Sequence, residues 1–357
     1  MKFKKNRLKP IKNGPMLMLM LVCLLVLAFF TTGCADKSVS ENNQPTILVC
    51  GFAQYDWVIN VLGDNPAHIE VQRLNESGTD MHSYQPTVAD IVKIADCDLL
   101  IYTGGESEFW IDDAVDSSEK PDSSCISLME VFDGPALLCE KYPAAYSEHD
   151  HDHEREHEGH LEPGEEDHDH EGEADEHLWL SLKMAPAFIE SITDAICSLD
   201  PANSSYYEKN SESYINEINE LDSKYEQATG DGRKAGKDFI LIADRFPFIY
   251  LTEDYHLAHM AAFPGCSAET EASFATILSL SEAIDNCKPG AVIVLKKSED
   301  DLAQTVIQNS AMKGLPVLRL DDMQSVTSED IQAGCSYISI MEDNLAALEA
   351  ALDVDKN

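Results

Sequence analysis

The sequence predicts an α/β protein of two lobes, each a mostly parallel sheet flanked by helices, joined by one long helix. Three observations predict this fold. Strand-like runs alternate with helical patterns in both halves of the chain, and 357 residues are too many for one ordinary core. The third is a polar stretch between the halves whose apolar residues follow a helical period. A ligand of such a fold is expected in the cleft between the lobes, outside the carboxyl ends of the strands.

The first residues form a targeting pattern. Six basic residues precede an apolar run at residues 16–30, which is typical of a signal peptide. Thr31-Thr32-Gly33-Cys34 resembles a bacterial lipobox, although a threonine replaces the usual leucine. We expect residues 1–33 to be removed and Cys34 to carry a lipid at the extracellular face of the cytoplasmic membrane, with residues 34–45 as a tether. An uncleaved signal anchor is the alternative.

The N-terminal lobe is expected over residues 46–200. Its predicted strands are 46–50, 69–74, 99–102 and 136–138, and its helices lie around 57–62 and 88–94. Residues 201–227 predict one long helix within a linking segment, 201–229, with Pro201 in its first turn and Gly230-Asp231-Gly232 at its end. The C-terminal lobe is expected over residues 236–357. Its predicted strands are 239–243, 258–262, 291–295 and 317–320, and its helices lie near 272–284, 300–312 and 337–352.

A segment rich in histidine and acid, residues 148–176, interrupts the first lobe. It contains fifteen carboxylates, one basic residue and seven histidines: His149, His151, His153, His157, His160, His168 and His170. With almost nothing to bury, it is expected to be a disordered loop. Alternating imidazole and carboxylate suits a borderline divalent cation, with zinc as the first choice.

The charge of the chain excludes some partners. Removal of residues 1–33 takes away six positive charges and no negative ones, so the formal charge moves from −40 to −46. This argues against nucleic acid as a partner. Eight cysteines follow Cys34 without any CxxC pair, so buried thiols are favoured over a disulfide framework and a cysteine-ligated metal is not predicted.

Two histidines outside the rich segment are candidate ligands. His82 lies in a predicted loop between a strand and a helix, with Thr87 or Ser83 as the cap of that helix. His177 is followed at once by apolar residues, so its backbone is expected to be fixed. The alternatives are a solvated loop residue for His82 and a last member of the histidine cluster for His177.

Carboxylates at strand ends are candidates for the other ligands. Asp244 follows the predicted strand 239–243, while Asp321 and Asp322 end the strand 317–320. Asp244 has a structural alternative, an ion pair with Arg245. Glu269 lies after another strand but is equally suited to begin a helix. The common catalytic signatures, including a phosphate loop, GxSxG and HExxH, are missing from the sequence.

Together these motifs resemble the ZnuA-like zinc and manganese substrate-binding lipoproteins of ABC importers. That family carries a DPHxYEPTP-like motif, here read over residues 80–87, and an H-x-W-L-x-P-like motif, here read from His177 to Leu182. The resemblance covers residues 46–353. It implies a rigid two-lobed binder that passes its metal to a membrane permease with a cytoplasmic ATPase, and a monomer is expected. By position it implies His82 and His177 as ligands from the first lobe.

The resemblance assigns the remaining ligands less directly. The third ligand position falls on Asp244 or Arg245, and Asp244 is chosen because arginine is permanently charged. The fourth falls on Asp321, with Asp322 as the fallback. Two histidines with two carboxylates tolerate zinc and also suit manganese, and the histidine-rich loop favours zinc. The alternatives are a surface zinc hydrolase using His82, His177 and Asp244 with Glu269 as base, and an adhesin or passive metal buffer.

Overall fold

The computed structural model describes residues 44–118, 120–121, 124–132, 138, 174–267 and 271–353. The predicted signal peptide, Cys34 and most of the tether lie outside the described residues. So do the seven histidines of the rich segment, Glu269 and most of the predicted strand 136–138. Across the part of the chain that the structure describes, no helix is long and apolar enough to cross a membrane.

The first lobe is built on a four-stranded parallel sheet in the order β2-β1-β3-β4. Its strands are β1 (Thr46–Val49), β2 (Glu70–Arg73), β3 (Leu99–Tyr102) and β4 (Cys125–Ser127). The helices of the lobe are α1 (Phe52–Leu62), α2 (Val88–Asp96), α3 (Phe109–Ser118), α4 (Leu128–Val131) and α5 (Ala185–Leu199). The fourth strand had not been predicted, because three residues are too few to give an alternating pattern.

The helix α2 has the cap that its sequence predicts. Thr87 Oγ1 accepts the backbone N–H of Asp90 at 3.3 Å, and Oδ2 of Asp90 accepts the backbone N–H of Thr87 at 2.8 Å. This reciprocal capping box stabilises the start of the helix by about 1 kcal/mol. It also fixes where the preceding loop, which carries His82, rejoins the lobe.

The second lobe repeats the plan with a parallel sheet in the order β6-β5-β7-β8. Its strands are β5 (Phe239–Phe246), β6 (Ala258–Pro264), β7 (Val292–Leu295) and β8 (Val317–Leu320). The long helix α6 (Ser204–Lys234) joins the lobes, and the helices of the second lobe are α7 (Ile249–Asp254), α8 (Phe274–Cys287), α9 (Asp301–Asn309), α10 (Ser328–Gln332) and α11 (Tyr337–Ala351). The predicted fold class, two parallel-sheet lobes flanked by helices, is confirmed.

One helix of 31 residues, α6 (Ser204–Lys234), joins the lobes after a 3₁₀ turn at Pro201–Asn203. The glycines expected to end it lie inside it. Gly232 has a packing role instead, because a Cβ there would lie 2.5 Å from the carbonyl oxygen of Lys237. The helix continues past both glycines and ends at Lys234.

The long helix is bonded to both lobes. The Tyr214 hydroxyl donates to Oδ2 of Asp56 on α1 at 2.7 Å, and the Tyr225 hydroxyl donates to the carbonyl of Met341 on α11 at 2.6 Å. Tyr225 is fully buried, so an unmade hydrogen bond at its hydroxyl would be costly. These bonds hold the two sheets in a fixed relation, with the carboxyl ends of their strands around one cleft.

Candidate metal centre

His82 lies on the loop after β2, in a single 3₁₀ turn, Met81–Ser83. Oδ1 of Asp80 accepts the backbone N–H of His82 at 3.0 Å and its ring Nδ1–H at 2.9 Å. Oδ2 of Asp80 pairs with Nη1 of Arg245 at 2.6 Å. Burial alone would raise the pKa of Asp80, but the His82 hydrogen bond and the Arg245 charge outweigh it, and the pKa lies well below its ordinary value. Asp80 thus fixes the ring and leaves Nε2 as the ligand atom.

His177 repeats this construction at the start of another 3₁₀ turn, Leu178–Leu180. Oδ1 of Asp175 accepts the backbone N–H of His177 at 2.8 Å and its Nδ1–H at 3.0 Å. Burial alone would lower the pKa of His177, but the charge and hydrogen bond of Asp175 outweigh it, and the pKa is raised. Both candidate ligands are therefore the histidine of an Asp-x-His unit.

The second lobe holds the His177 segment in place. The Tyr250 hydroxyl donates to the carbonyl of Asp175 at 2.7 Å, and Nε1 of Trp179 donates to the carbonyl of Asp322 at 2.9 Å. The Tyr337 hydroxyl donates to the carbonyl of Trp179 at 2.8 Å. Because two tyrosines bond to this backbone and Trp179 bonds back to the second lobe, His177 has little freedom to move away from the cleft.

The two candidate histidines face each other. Their rings stack with centroids 5.2 Å apart and an angle of 16° between planes. Nε2 of His82 lies 3.0 Å from Sγ of Cys266 and 3.9 Å from Oε2 of Glu176. Nε2 of His177 accepts from the amide Nε2 of Gln324 at 3.2 Å. Both uncommitted ring nitrogens therefore meet polar atoms of the cleft.

Glu176 is held beside the histidines by the loop after β3. The backbone N–H of Ser107 donates to Oε1 of Glu176 at 2.9 Å, and the Ser107 hydroxyl donates to Oε2. Gly105 has φ of +87°, and a Cβ there would lie 2.6 Å from Oε1 of Glu176. A glycine is required because any side chain at this position would collide with the carboxylate and strain the backbone.

Asp244, predicted as the third ligand after a strand 239–243, lies within β5, near its end, and bonds to the end of β7. Its Oδ1 accepts the backbone N–H of Arg245 at 2.8 Å, and its Oδ2 accepts the backbone N–H of Leu295 on β7 at 3.0 Å. Both oxygens thus bind backbone amides of the second lobe. The side chain that reaches from this strand end toward His82 is Arg245, through its ion pair with Asp80.

Asp321 and its fallback Asp322 also bind their own lobe. Oδ2 of Asp321 lies 2.8 Å from Nζ of Lys296, and its Oδ1 accepts the backbone N–H of Met323 at 2.8 Å. The oxygens of Asp322 accept the backbone and side-chain N–H groups of Gln324 at 3.2 and 3.3 Å. Burial and the neighbouring Asp321 raise the pKa of Asp322. Asp322 reaches His177 only indirectly, because the Gln324 side chain contacts both of them.

Sequence reasoning predicted the two histidines but not the groups that surround them. Asp80 and Asp175 had a signal, since each stands two residues before a candidate histidine. Cys266 and Gln324 had none: each lies in a loop after a strand and only the fold brings it to the cleft. Among the residues that the structure describes, one group of three metal-ligating side chains has ligand atoms all within 4.8 Å of one another, namely Asp175, His177 and Cys266.

Paired imidazoles, each held at Nδ1 by a carboxylate, form a site for a borderline divalent cation. A cleft between two parallel-sheet lobes is where such folds bind a ligand. Fold and site together define the class: a two-lobed α/β protein with a candidate metal centre in its cleft.

One family of known proteins matches nearly the whole described part of the chain. The model of the ZnuA family, described as the periplasmic component A of a zinc-uptake complex, matches residues 47–351, and the chain belongs to this family. The zinc-binding lipoprotein AdcA of Streptococcus pneumoniae is 29% identical over 326 residues, which are 91% of this chain and 59% of AdcA. The chain therefore spans about three fifths of the length of that relative. The high-affinity zinc uptake system protein ZnuA of Bacillus subtilis is 27% identical over 92% of this chain and 94% of its own length.

Solved structures agree with the fold. The Zn(II)-bound ZnuA-like domain of Streptococcus pneumoniae AdcA has a TM-score of 0.66 and 26% identity, covering 87% of this chain and 99% of that domain. The periplasmic zinc-binding protein TroA of Treponema pallidum, at 17% identity and a TM-score of 0.64, shares the fold.

Proposed function

We propose that this chain is an extracellular zinc-binding protein that delivers the metal to an ABC importer. The observation that carries the proposal is the stacked pair His82 and His177, each fixed through Nδ1 by an aspartate. A hydrogen-bonded carboxylate sets the tautomer of a histidine and makes Nε2 a stronger ligand. Family membership over residues 47–351 supports the same function.

Charge brings the cation to this site. The chain carries a formal charge of −40, and such a field raises the local concentration of divalent cations. In the cleft, the carboxylates of Asp80, Asp175 and Glu176 lie against the two histidines. They offset the charge of Arg245, which otherwise would oppose a cation.

The histidine-rich segment acts as an accessory. Its seven histidines bind zinc weakly and raise its concentration near the cleft, an effective-concentration effect. The segment ends at Glu176, directly before His177, so captured metal is released close to the tight site. Its composition also favours zinc over manganese, the alternative cargo.

Delivery is the second half of the proposal. Cys34 carries the lipid that keeps the protein at the outer face of the membrane, and a permease with its ATPase receives the metal. The names of relatives support this, since AdcA is called a zinc-binding lipoprotein and ZnuA a zinc uptake protein. Binding without catalysis is proposed, because the histidines are surrounded by groups that hold or complete a coordination sphere.

A competition titration of the mature chain against a chromophoric zinc chelator tests the binding. We expect one tight zinc site, weaker manganese binding and several weak zinc sites. A variant lacking residues 149–170 should keep the tight site and lose the weak ones, because Asp175 is retained. Absence of a tight site in both proteins would overturn the proposal.

Zinc uptake by cells tests the delivery. A strain that lacks the chain should take up less zinc at low external concentration, and the wild-type gene should restore uptake. The gene with His82→Ala and His177→Ala should not. Equal uptake with and without the chain would overturn delivery.

A further inference from the structure

Cys266 lies two residues after β6, on the second lobe, and is exposed. Its Sγ is 3.0 Å from Nε2 of His82, the ring nitrogen that Asp80 leaves uncommitted. It also lies within 4.8 Å of ligand atoms of His177 and Asp175. A sulfur atom from one lobe therefore meets both Asp-x-His units of the other.

A second observation marks the same place as a ligand site. The side chain of Asp175 is fully buried, and its Oδ2 has no hydrogen-bond partner. Oε1 of Gln324 is likewise buried without a partner, while its Nε2 contacts His177. Buried polar atoms are normally paired, so two such atoms around one histidine indicate that a ligand completes the cluster.

We propose that Cys266, as a thiolate, is the third zinc ligand of this site. The proposal rests on the proposed function and goes beyond it by naming the residue that the second lobe contributes. On binding, the Cys266 thiol gives its proton to solvent and its sulfur donates an electron pair to Zn²⁺. No oxidant or reductant is needed, since zinc does not change its oxidation state.

The distances suit this assignment. With Zn–N near 2.0–2.1 Å and Zn–S near 2.3 Å, a tetrahedral zinc separates nitrogen from sulfur by roughly 3.6 Å. The Cys266 sulfur lies 3.0 Å from Nε2 of His82, so it must retreat by only about half an ångström to admit the metal.

The other groups of the second lobe are less suited. Arg245 is permanently charged and is paired with Asp80. Asp244 binds two backbone amides, and Asp321 binds Lys296 and the backbone of Met323. The amide oxygen of Gln324 is a weaker donor that is able to fill a fourth position.

A thiolate ligand determines the choice of metal. Thiolates favour soft or borderline cations such as zinc, whereas manganese prefers carboxylate and carbonyl oxygens. Cys266 therefore makes the site discriminate zinc from manganese.

Cobalt(II), a spectroscopic substitute for zinc, tests the proposal. The wild-type protein with one equivalent of cobalt should show the intense near-ultraviolet band of thiolate-to-cobalt charge transfer. Cys266→Ser should lose the band, and its zinc affinity should fall by at least about tenfold, a larger factor than the change in its manganese affinity. Cys287→Ser, at another exposed cysteine, is the matched control and should keep both the charge-transfer band and the zinc affinity of the wild-type protein.

The possible failures are distinguishable. A tight cobalt complex without the band, or Cys266→Ser with wild-type zinc affinity, would overturn the cysteine ligand and leave the zinc-binding function standing. Failure of the wild-type protein to bind either metal tightly would overturn both. Thermal unfolding of the metal-free variants shows whether a loss of affinity comes from misfolding instead.

Discussion

The two sides of the cleft use their carboxylates differently. On the first lobe, Asp80 and Asp175 each bind the Nδ1–H of a histidine and leave its Nε2 available. On the second lobe, Asp244 and Asp321 bind backbone amides and Lys296. A carboxylate beside the cleft thus either supports a metal ligand or ties its own lobe together, and only its partners distinguish the two roles.

The two lobes therefore contribute different kinds of candidate metal-binding group. The first lobe supplies two imidazoles in a rigid setting, since His177 is fully buried and the side chain of His82 is only 14% exposed. The second lobe supplies side chains from loops, Cys266 and Gln324. Four groups of variants break or sharpen this contrast.

The largest effect is expected from the histidines. His82→Ala or His177→Ala removes one of the two imidazole ligands, so the zinc affinity of the tight site should fall by at least about 100-fold. His259→Ala is the control, because His259 is exposed on β6 and stacks on Phe246. Competition titration measures the zinc affinity of all three variants. If His82→Ala kept a tight site, the histidine-rich segment would be the zinc-binding site instead.

The supporting aspartates come next. Asp80→Asn and Asp175→Asn keep the size of the side chain but weaken the hold on Nδ1, so each should lower zinc affinity by about 10–100-fold. Asp80→Asn also leaves Arg245 without its ion pair, which adds repulsion toward the cation. The same titration measures the loss, and wild-type affinity in both variants would show that the Asp-x-His units are only structural.

The aspartates of the second lobe should matter less to zinc. Asp244→Asn and Asp321→Asn are expected to leave zinc affinity unchanged and to lower the free energy of unfolding by about 1 kcal/mol, since each weakens a hydrogen bond. Denaturant unfolding of the metal-free proteins, beside zinc titration, separates the two quantities. A large loss of zinc affinity in Asp244→Asn would make it the third ligand in place of Cys266.

The smallest effect concerns a buried acid behind the site. Glu108 accepts the backbone N–H groups of Thr103 and Gly104, and burial raises its pKa to about 8. Because the unfolded chain ionises this group near pH 4.5, its contribution to stability is complete below that pH and is lost as pH rises toward 8. Glu108→Gln should therefore unfold at the wild-type temperature at pH 4 and above it at pH 8. Equal midpoints at both pH values would contradict the raised pKa.

The fold and half of the site are predictable from local sequence. Alternating strands and helices fix the two sheets, and the motifs at residues 80–87 and 177–182 mark both histidines. The end of α6 is not predictable from its glycines, because Gly232 is required by the nearby carbonyl of Lys237. That requirement exists only in the folded protein.

The other half of the site depends on tertiary structure. Asp244 lies near the end of β5 and Asp321 directly follows β8, where cleft ligands are found, yet their orientation is decided by the amides of Leu295 and Met323. Cys266 stands 184 residues from His82 in the chain. No spacing rule joins residues so far apart, so this contact becomes visible only when both sheets are built.

Anomalous diffraction at the zinc edge, from crystals grown with one equivalent of zinc, tests the central claim most directly. We expect one strong peak between His82 and His177, within bonding distance of both Nε2 atoms at about 2.0–2.1 Å. A principal peak on Asp244 or Asp321, or none near the two histidines, would contradict it.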